Sequence, residues 1–207
     1  MLFRSMRFDG IRDGIQYFCV ASEGAQLPME IPQAGYLHEY HVVTVRDGGI
    51  QLAAIPVGAV MDPKQFTGQM SDDVELLNDK LRPTNLRGLE FGPNGMLLGT
   101  LAMEFTNPAS RPVELTVLPS LDDGYSFLPD HQHAKMEPGA TATIEFAVRR
   151  AGVEGQAPKL PDLELRIDYL APDRRISLPP ITTEVPLAPP RDLSVPASVD
   201  GALQLRA

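Results

Sequence analysis

The chain has 207 residues, of which 43% are hydrophobic, and its formal net charge is −9 at pH 7. This acidic balance argues against partners that recognise a basic surface, namely nucleic acids and anionic membranes. The single cysteine, Cys19, excludes an intrachain disulfide and a Cys-rich zinc site. The sequence holds no run of about 20 apolar residues that would span a bilayer, and its first residues lack the apolar core of a signal peptide.

The first part of the chain, residues 6–98, is predicted to be β-rich. Its segments "IQYFCVAS" and "IQLAAIPV" carry apolar residues on both faces, which is typical of strands that are covered on both sides. An Asp-Gly-Gly turn at residues 47–49 separates "YHVVTVR" from "IQLAAIPV" and predicts a hairpin. The one candidate helix runs from Ser71 to Leu81 with Ser71 as its N-cap, although a loop explains this segment equally well. This part is either a sandwich-like unit or the end of a larger upstream domain.

The second part, residues 99–188, alternates apolar and polar residues with a period of two, which indicates half-buried strands. In "LAMEF" the first, third and fifth residues share one face, and the same alternation recurs in "VELTV", "TATIEFAV" and "LELRIDY". The turn-forming pairs Asn107-Pro108 and Pro138-Gly139 lie between predicted strands. Short strands at this spacing predict an all-β fold, an antiparallel β-sandwich.

Three segments follow one another in this second part: "FTNPASRPVELTV", "MEPGATATIEFAV" and "LELRIDYLAPDRRISLPPITTEVPL". Together they resemble the Ig-like accessory β-sandwich domains of bacterial extracellular glycan-active enzymes, of the alpha-galactosidase-associated type. The resemblance implies an Ig-like second domain and an extracellular or periplasmic location. Residues 189–207 form a Pro-rich linker. Its end, at Val199, Asp200 and Gly201, resembles the start of a family 9-type carbohydrate-binding module.

Tyrosine rings are the candidate sugar-stacking groups, because the chain has no tryptophan. Tyr36 and Tyr40 lie in "GYLHEYH", and Tyr125 lies in "DGYSFLP". An exposed ring stacks on a sugar, whereas a buried ring packs in the core and bonds its hydroxyl to a local partner. The sequence leaves both roles open for each tyrosine.

The histidines occur as two pairs, each with an acidic neighbour. His131 and His133 share one face of a predicted strand and form, with Asp130, a candidate metal site. A zinc site needs three or four ligands in a tetrahedral array. Ordinary solvated histidines at a strand end are therefore the simpler interpretation.

The predicted function is that of a non-catalytic structural or accessory module, which spaces or orients the other domains of a larger exported carbohydrate-active enzyme. Such a module needs no cofactor, and its partners are the neighbouring domains of the same chain. A first alternative is a carbohydrate-binding module that binds a glycan through exposed tyrosines. A second alternative is the edge of a glycoside hydrolase catalytic assembly, to which His38, Glu39 or His41 contributes.

The chain also reads as an internal fragment of a longer protein. In that case the strands of residues 6–98 that are apolar on both faces lack part of their cover. We then expect an exposed apolar patch near Tyr17, Phe18 and Ile55 that is larger than the few hundred Å² of an ordinary soluble monomer.

Overall fold

The computed structural model describes residues 5–20, 31–56, 60–87, 89, 96–120, 124–150 and 161–184. The described chain is mostly β-structure in antiparallel sheets, so the predicted all-β, sandwich-like fold is confirmed. The predicted linker and module start at residues 189–207 lie outside the described residues. None of the described helices is long and apolar enough to cross a membrane.

The strands and helices follow one another along the chain in an order that separates two regions. The first region contains β1 (Arg7–Arg12), β2 (Ile15–Cys19), β3 (Glu39–Arg46), β4 (Gly49–Pro56), α1 (Gly68–Lys80) and short 3-10 helices at Pro32–Ala34 and Pro63–Gln65. The second contains β5 (Thr84–Arg87), β6 (Leu97–Thr106), β7 (Val113–Pro119), β8 (Tyr125–Leu128), β9 (Gln132–Met136), β10 (Thr141–Arg150), β11 (Asp162–Leu170), β12 (Arg175–Ser177) and β13 (Ile181–Glu184).

Two antiparallel sheets form the second region and share one hydrophobic core. One sheet has the strand order β5-β6-β10-β8, and the other has the order β12-β11-β7-β9, with β13 also paired to β11. The inward-facing side chains of β6, β7, β10 and β11 are almost completely buried, as the alternation predicts. They include Leu101, Met103, Phe105, Val113, Leu115, Val117, Ile144, Phe146, Val148, Leu163, Leu165 and Ile167.

The sandwich extends upstream of the predicted boundary near Gly99. That residue lies within β6, and β5, from the preceding segment, pairs with β6 on the edge of the same sheet. Leu89 and Leu97 are also buried in the common core. Residues on both sides of Gly99 therefore belong to the same sheet.

Asn107 anchors the turn between β6 and β7. It is fully buried, and its side-chain nitrogen donates to the carbonyl oxygens of Arg111, at 2.9 Å, and Met136, at 3.1 Å. Its Oδ1 accepts from the backbone N–H of Ala109 at 2.9 Å, the local bond that makes Asn a turn-forming residue. The predicted Asn-Pro turn is confirmed, and the same side chain also fastens the turn to β9.

The first region contains two separate hairpins. β1 pairs with β2, and β3 pairs with β4, in both cases antiparallel. The predicted turn at residues 47–49 is confirmed, and Gly49 has a φ of 127°, which glycine adopts without the steric cost of a Cβ. Within the described residues neither hairpin is joined by a third strand.

Helix α1 begins before Ser71, so the predicted N-cap is wrong. The N-cap is Thr67, whose Oγ1 accepts from the backbone N–H of Met70 at 3.3 Å. Thr67 has an extended backbone, as N-cap residues do, whereas Ser71 is already helical and buried. Val74 and Leu77 lie on the buried face, which explains why this segment folds as a helix and not as a loop.

Asp73 joins helix α1 to the sandwich. Its carboxylate is buried and accepts from the backbone N–H of Ser110 at 2.8 Å, the Ser110 hydroxyl at 2.7 Å and the Tyr169 hydroxyl at 2.9 Å. Gln69 on the preceding turn of the helix donates a further bond at 3.3 Å. Burial, followed by the bond to Asp73, raises the pKa of Tyr169 above its usual range. One carboxylate thus connects α1, the Asn107 turn and β11.

Candidate functional site

The hairpins carry most of the large hydrophobic side chains that are exposed in the described chain. Eight of them lie on β1 to β4: Ile11, Ile15, Tyr17, Tyr40, Val42, Val43, Val45 and Ile50. Of the residues around which an apolar patch is expected, Tyr17 is exposed, while Phe18 and Ile55 are half-buried. Exposed apolar side chains therefore occur on both hairpins, and five of the eight lie on β3 and β4.

One face of the β3–β4 hairpin is apolar along its outer half. Val43 lies opposite Leu52 and Val45 lies opposite Ile50, so the four side chains point to the same side. Val45 is 72% exposed and Ile50 is 70% exposed. A two-stranded hairpin is only marginally stable in water unless its apolar face is covered. This face therefore has the composition of a contact surface.

A groove of about 840 Å³ lies between β2 and the β3–β4 hairpin. Its apolar lining includes Ile15, Phe18 and Leu52. The charged lining residues, Asp62 and Lys64, have opposite signs, and the Asp62 carboxylate accepts from the backbone N–H of Lys64 at 3.0 Å. The groove is therefore lined by apolar side chains together with Gln16, Thr44 and Gln51, and its two charged residues balance each other on the surface of a strongly acidic chain.

The structure places the three predicted tyrosines in different environments. Tyr36 and Tyr125 are buried, with exposed fractions of 1% and 7%, so of the two roles left open by the sequence these rings have the packing role and are not available for sugar stacking. Tyr125 packs beside Phe127, and the Arg150 guanidinium lies 5.4 Å from the centre of its ring. Tyr40 is 54% exposed and remains the one predicted stacking ring that a ligand can reach.

The buried hydroxyl of Tyr36 belongs to a polar network that sequence patterns did not reveal. It donates to Glu75 at 2.8 Å and lies 3.2 Å from the hydroxyl of Ser71, which lies 3.2 Å from that of Ser5. Burial raises the pKa of Tyr36 above its usual range. Ser71 and Glu75 are four residues apart on one face of α1, which is the only sequence signal for this network.

The structure pairs two of the three residues of the predicted metal site and gives the third a different partner. The His131 Nδ1 lies 2.8 Å from the Asp130 carboxylate, and both side chains are largely exposed. The His133 Nδ1 instead lies 3.0 Å from the Thr116 hydroxyl on the neighbouring strand. In the part of the chain that the structure describes, no three His, Cys, Asp or Glu side chains are grouped as a metal site would require.

Glu39 and His41 lie together at the inner end of β3. Two residues apart on a strand, they point to the same face, and His41 Nε2 is 3.3 Å from Glu39 Oε1. Their side chains are 0% and 12% exposed respectively. Burial lowers the pKa of His41, which favours the neutral imidazole. His38 is exposed and precedes the strand, so the structure brings together two of the three residues predicted for a catalytic edge.

A scan against protein-family models and a search of the curated proteins each found no match for this chain. Function is therefore inferred from the surfaces of the described residues. These surfaces include the exposed apolar side chains of the two hairpins and the groove between them.

Proposed function

We propose that this chain is a non-catalytic accessory module that spaces and orients the neighbouring domains of a larger, exported carbohydrate-active enzyme. The observation that carries this proposal is the exposed apolar face of the β3–β4 hairpin, centred on Val45 and Ile50. Apolar patches of this kind on a folded protein are typical of protein contacts. The neutral groove beside it favours a protein surface over a charged ligand.

The assignment to a carbohydrate-active enzyme has a separate basis. It comes from the resemblance of the segments around Asn107, Gly139 and the β11–β12 hairpin to accessory domains of glycan-active enzymes. The compact sandwich suits a spacer, because its inward-facing side chains are already buried. The docking role belongs to the hairpins, which precede the sandwich in the chain.

The docking role is tested with the domain that adjoins this chain in its gene, produced as a separate polypeptide. Isothermal titration calorimetry measures its affinity for the wild-type chain and for the double variant Val45→Thr/Ile50→Thr. We expect the double variant to bind at least about tenfold more weakly, because central apolar contacts carry most of the energy of an interface. Leu98→Thr is the matched control, since Leu98 is 83% exposed on the sandwich.

Two results would contradict the docking role. One is the absence of binding between the wild-type chain and the adjoining domain. The other is an equal loss of affinity in Leu98→Thr and in the double variant, which would show that the hairpin face has no special part in the contact.

A glycan-binding role is the second candidate, and the exposed ring of Tyr40 favours it. Affinity electrophoresis in gels that contain polysaccharides tests this role directly. A glycan-binding module would be retarded, and Tyr40→Ala would abolish the retardation, whereas Tyr17→Ala, at another exposed tyrosine, would not. If the chain is a spacer, its migration is the same with and without polysaccharide. The catalytic alternative has less support, because the side chains of Glu39 and His41 are buried.

A further inference from the structure

Three potential metal ligands converge at the inner end of β3. The His41 Nε2 lies 3.3 Å from Glu39 Oε1 and 3.4 Å from the Met6 thioether sulfur. Met6 is completely buried, the Glu39 side chain is 0% exposed and that of His41 is 12% exposed. Of the three side chains, only that of His41 therefore has an exposed part.

The backbone holds these residues in place. Glu39 and His41 alternate on β3 and so share a face. The Met6 N–H donates to the Gly35 carbonyl at 2.9 Å, and a Cβ at Gly35 would lie only 2.4 Å from the Met6 carbonyl oxygen. Only glycine permits this close approach, which brings the Met6 side chain to the base of the hairpin.

Proton counting shows why the three atoms suit a cation. A neutral imidazole has at most one proton at Nε2, whereas the thioether and the carboxylate both offer lone pairs. When Nε2 carries the proton, it donates to these acceptors in ordinary hydrogen bonds, whereas in the tautomer that is protonated at Nδ1 three lone-pair donors face one another across the two contacts. A positive ion between them would be attracted by all three.

The spacing and the chemistry of the donors select the kind of ion. Ligands at the usual metal distances of about 2.0 Å for nitrogen and about 2.3 Å for sulfur lie roughly 3.3–3.5 Å apart around a tetrahedral centre. The two observed contacts have this spacing. The thioether favours Cu(I) over harder ions, whereas the carboxylate is a harder donor and contributes mainly its negative charge. The carboxylate of Glu39 would offset part of the charge of a univalent ion, which lowers the cost of burying that charge.

We propose that Met6, Glu39 and His41 bind one Cu(I) ion at the base of the β3–β4 hairpin. This site is distinct from the predicted cluster at Asp130, His131 and His133. It also goes beyond the docking role of the hairpins, because copper would bind whether or not a neighbouring domain covers them.

The site is tested by anaerobic titration of Cu(I) against the chromophoric chelator bicinchoninate. All proteins carry Cys19→Ser, because a thiol is itself a soft ligand, although burial raises its pKa here. We expect one Cu(I) per chain in this background. Met6→Leu keeps the volume of the side chain but removes the sulfur, and we expect the affinity to fall at least about tenfold, as does loss of a supporting group at a metal site.

Matched controls separate the site from general effects of the substitutions. Met70→Leu removes a different buried thioether, which is 4% exposed, and His131→Gln removes an exposed imidazole. Both controls should bind Cu(I) as the background protein does. His41→Gln should lose affinity in the same way as Met6→Leu, with circular dichroism to establish that each variant is folded.

Three results would overturn the proposal. The first is no competition with bicinchoninate by the folded background protein. The second is unchanged Cu(I) affinity in Met6→Leu, which would leave the His41–Glu39 contact as an ordinary hydrogen bond. The third is an equal loss in Met6→Leu and Met70→Leu, which would place the effect in the core and not in the donor atoms.

Discussion

Large apolar side chains are buried on strand β10 of the second region, whereas those on strand β4 of the first region are partly or largely exposed. β10 is paired on both sides, by β6 and β8, and Ile144, Phe146 and Val148 on its inner face are at most 2% exposed. β4 is paired along its length only with β3, and its Ile50 is 70% exposed. Apolar content alone does not bury a strand, which also needs a second layer to pack against. The sandwich supplies that layer itself, whereas the apolar face of the β3–β4 hairpin is exposed to solvent.

The largest effect should come from truncating the sandwich core. Phe146 is fully buried and packs edge-on against Phe127, with ring centres 5.9 Å apart. We expect Phe146→Ala to lower the free energy of unfolding by about 3–5 kcal/mol, because it leaves a cavity. Urea denaturation followed by circular dichroism measures this loss. A loss below about 1 kcal/mol, which is typical of exposed positions, would mean that the Phe146 side chain is not closely packed in the core.

The link between the regions should give the next largest effect. Asp73→Asn replaces a buried, charged acceptor of four hydrogen bonds, so we expect a loss of about 1.5–3 kcal/mol in unfolding free energy. Asp72→Asn is the control, since its side chain is 63% exposed. Tyr169→Phe combined with Asp73→Asn should cost less than the sum of the two single losses. Additive losses would show that α1 and β11 are not coupled through this carboxylate.

The base of the hairpin should make stability depend on pH. Burial lowers the pKa of His41 in the folded chain, while the unfolded chain keeps the ordinary value of about 6.5. Below about pH 6.5 the unfolded chain therefore binds more protons than the folded chain does. The free energy of unfolding falls as the pH is lowered from about 6.5 towards the pKa of His41 in the folded chain. One group contributes a slope of at most about 1.4 kcal/mol per pH unit.

Urea midpoints measured between pH 7 and pH 5 in a metal-free buffer test this slope. His41→Gln should lose it, whereas His131→Gln, at an exposed position, should keep it. Equal pH dependence in wild type and His41→Gln would mean that another group is responsible for the loss of stability in acid.

The smallest effect should come from the exposed hairpin face. Val45→Thr and Ile50→Thr should each change the free energy of unfolding by no more than about 0.5 kcal/mol, because both side chains already lie in water. This near-neutrality contrasts with Phe146→Ala, although all three substitutions remove apolar groups. A loss of several kcal/mol in either variant, measured by the same urea denaturation, would mean that the hairpin face packs against this chain itself.

The sequence predicted the sandwich well because its strands obey a strict period. Residues such as Leu115 and Ile167 alternate with polar neighbours, and each was correctly placed inside. The turns at Asn107 and Gly49 were also predicted, since their residue types have specific backbone roles. The alternation of apolar and polar residues and the turn-forming residue types were therefore enough to predict these strands and turns.

The site was harder to predict, because burial is a property of the whole fold. Tyr36 and Tyr40 are close in sequence, yet one is buried beside Ser71 and the other faces solvent. The contact of Met6 with His41 spans 35 residues and depends on the course of the chain at Gly35. No periodicity encodes such contacts, so they emerge only from the folded structure.

Binding of the hydrophobic dye 8-anilinonaphthalene-1-sulfonate to the folded chain tests the docking surface most directly. We expect wild-type protein to enhance the fluorescence of the dye, and Val45→Thr/Ile50→Thr to remove most of this enhancement without loss of circular dichroism. Leu98→Thr/Leu128→Thr, which alters two exposed apolar residues of the sandwich, should bind the dye as wild type does. If wild type does not bind the dye, or if the two double variants reduce its binding equally, the hairpins are not a docking surface.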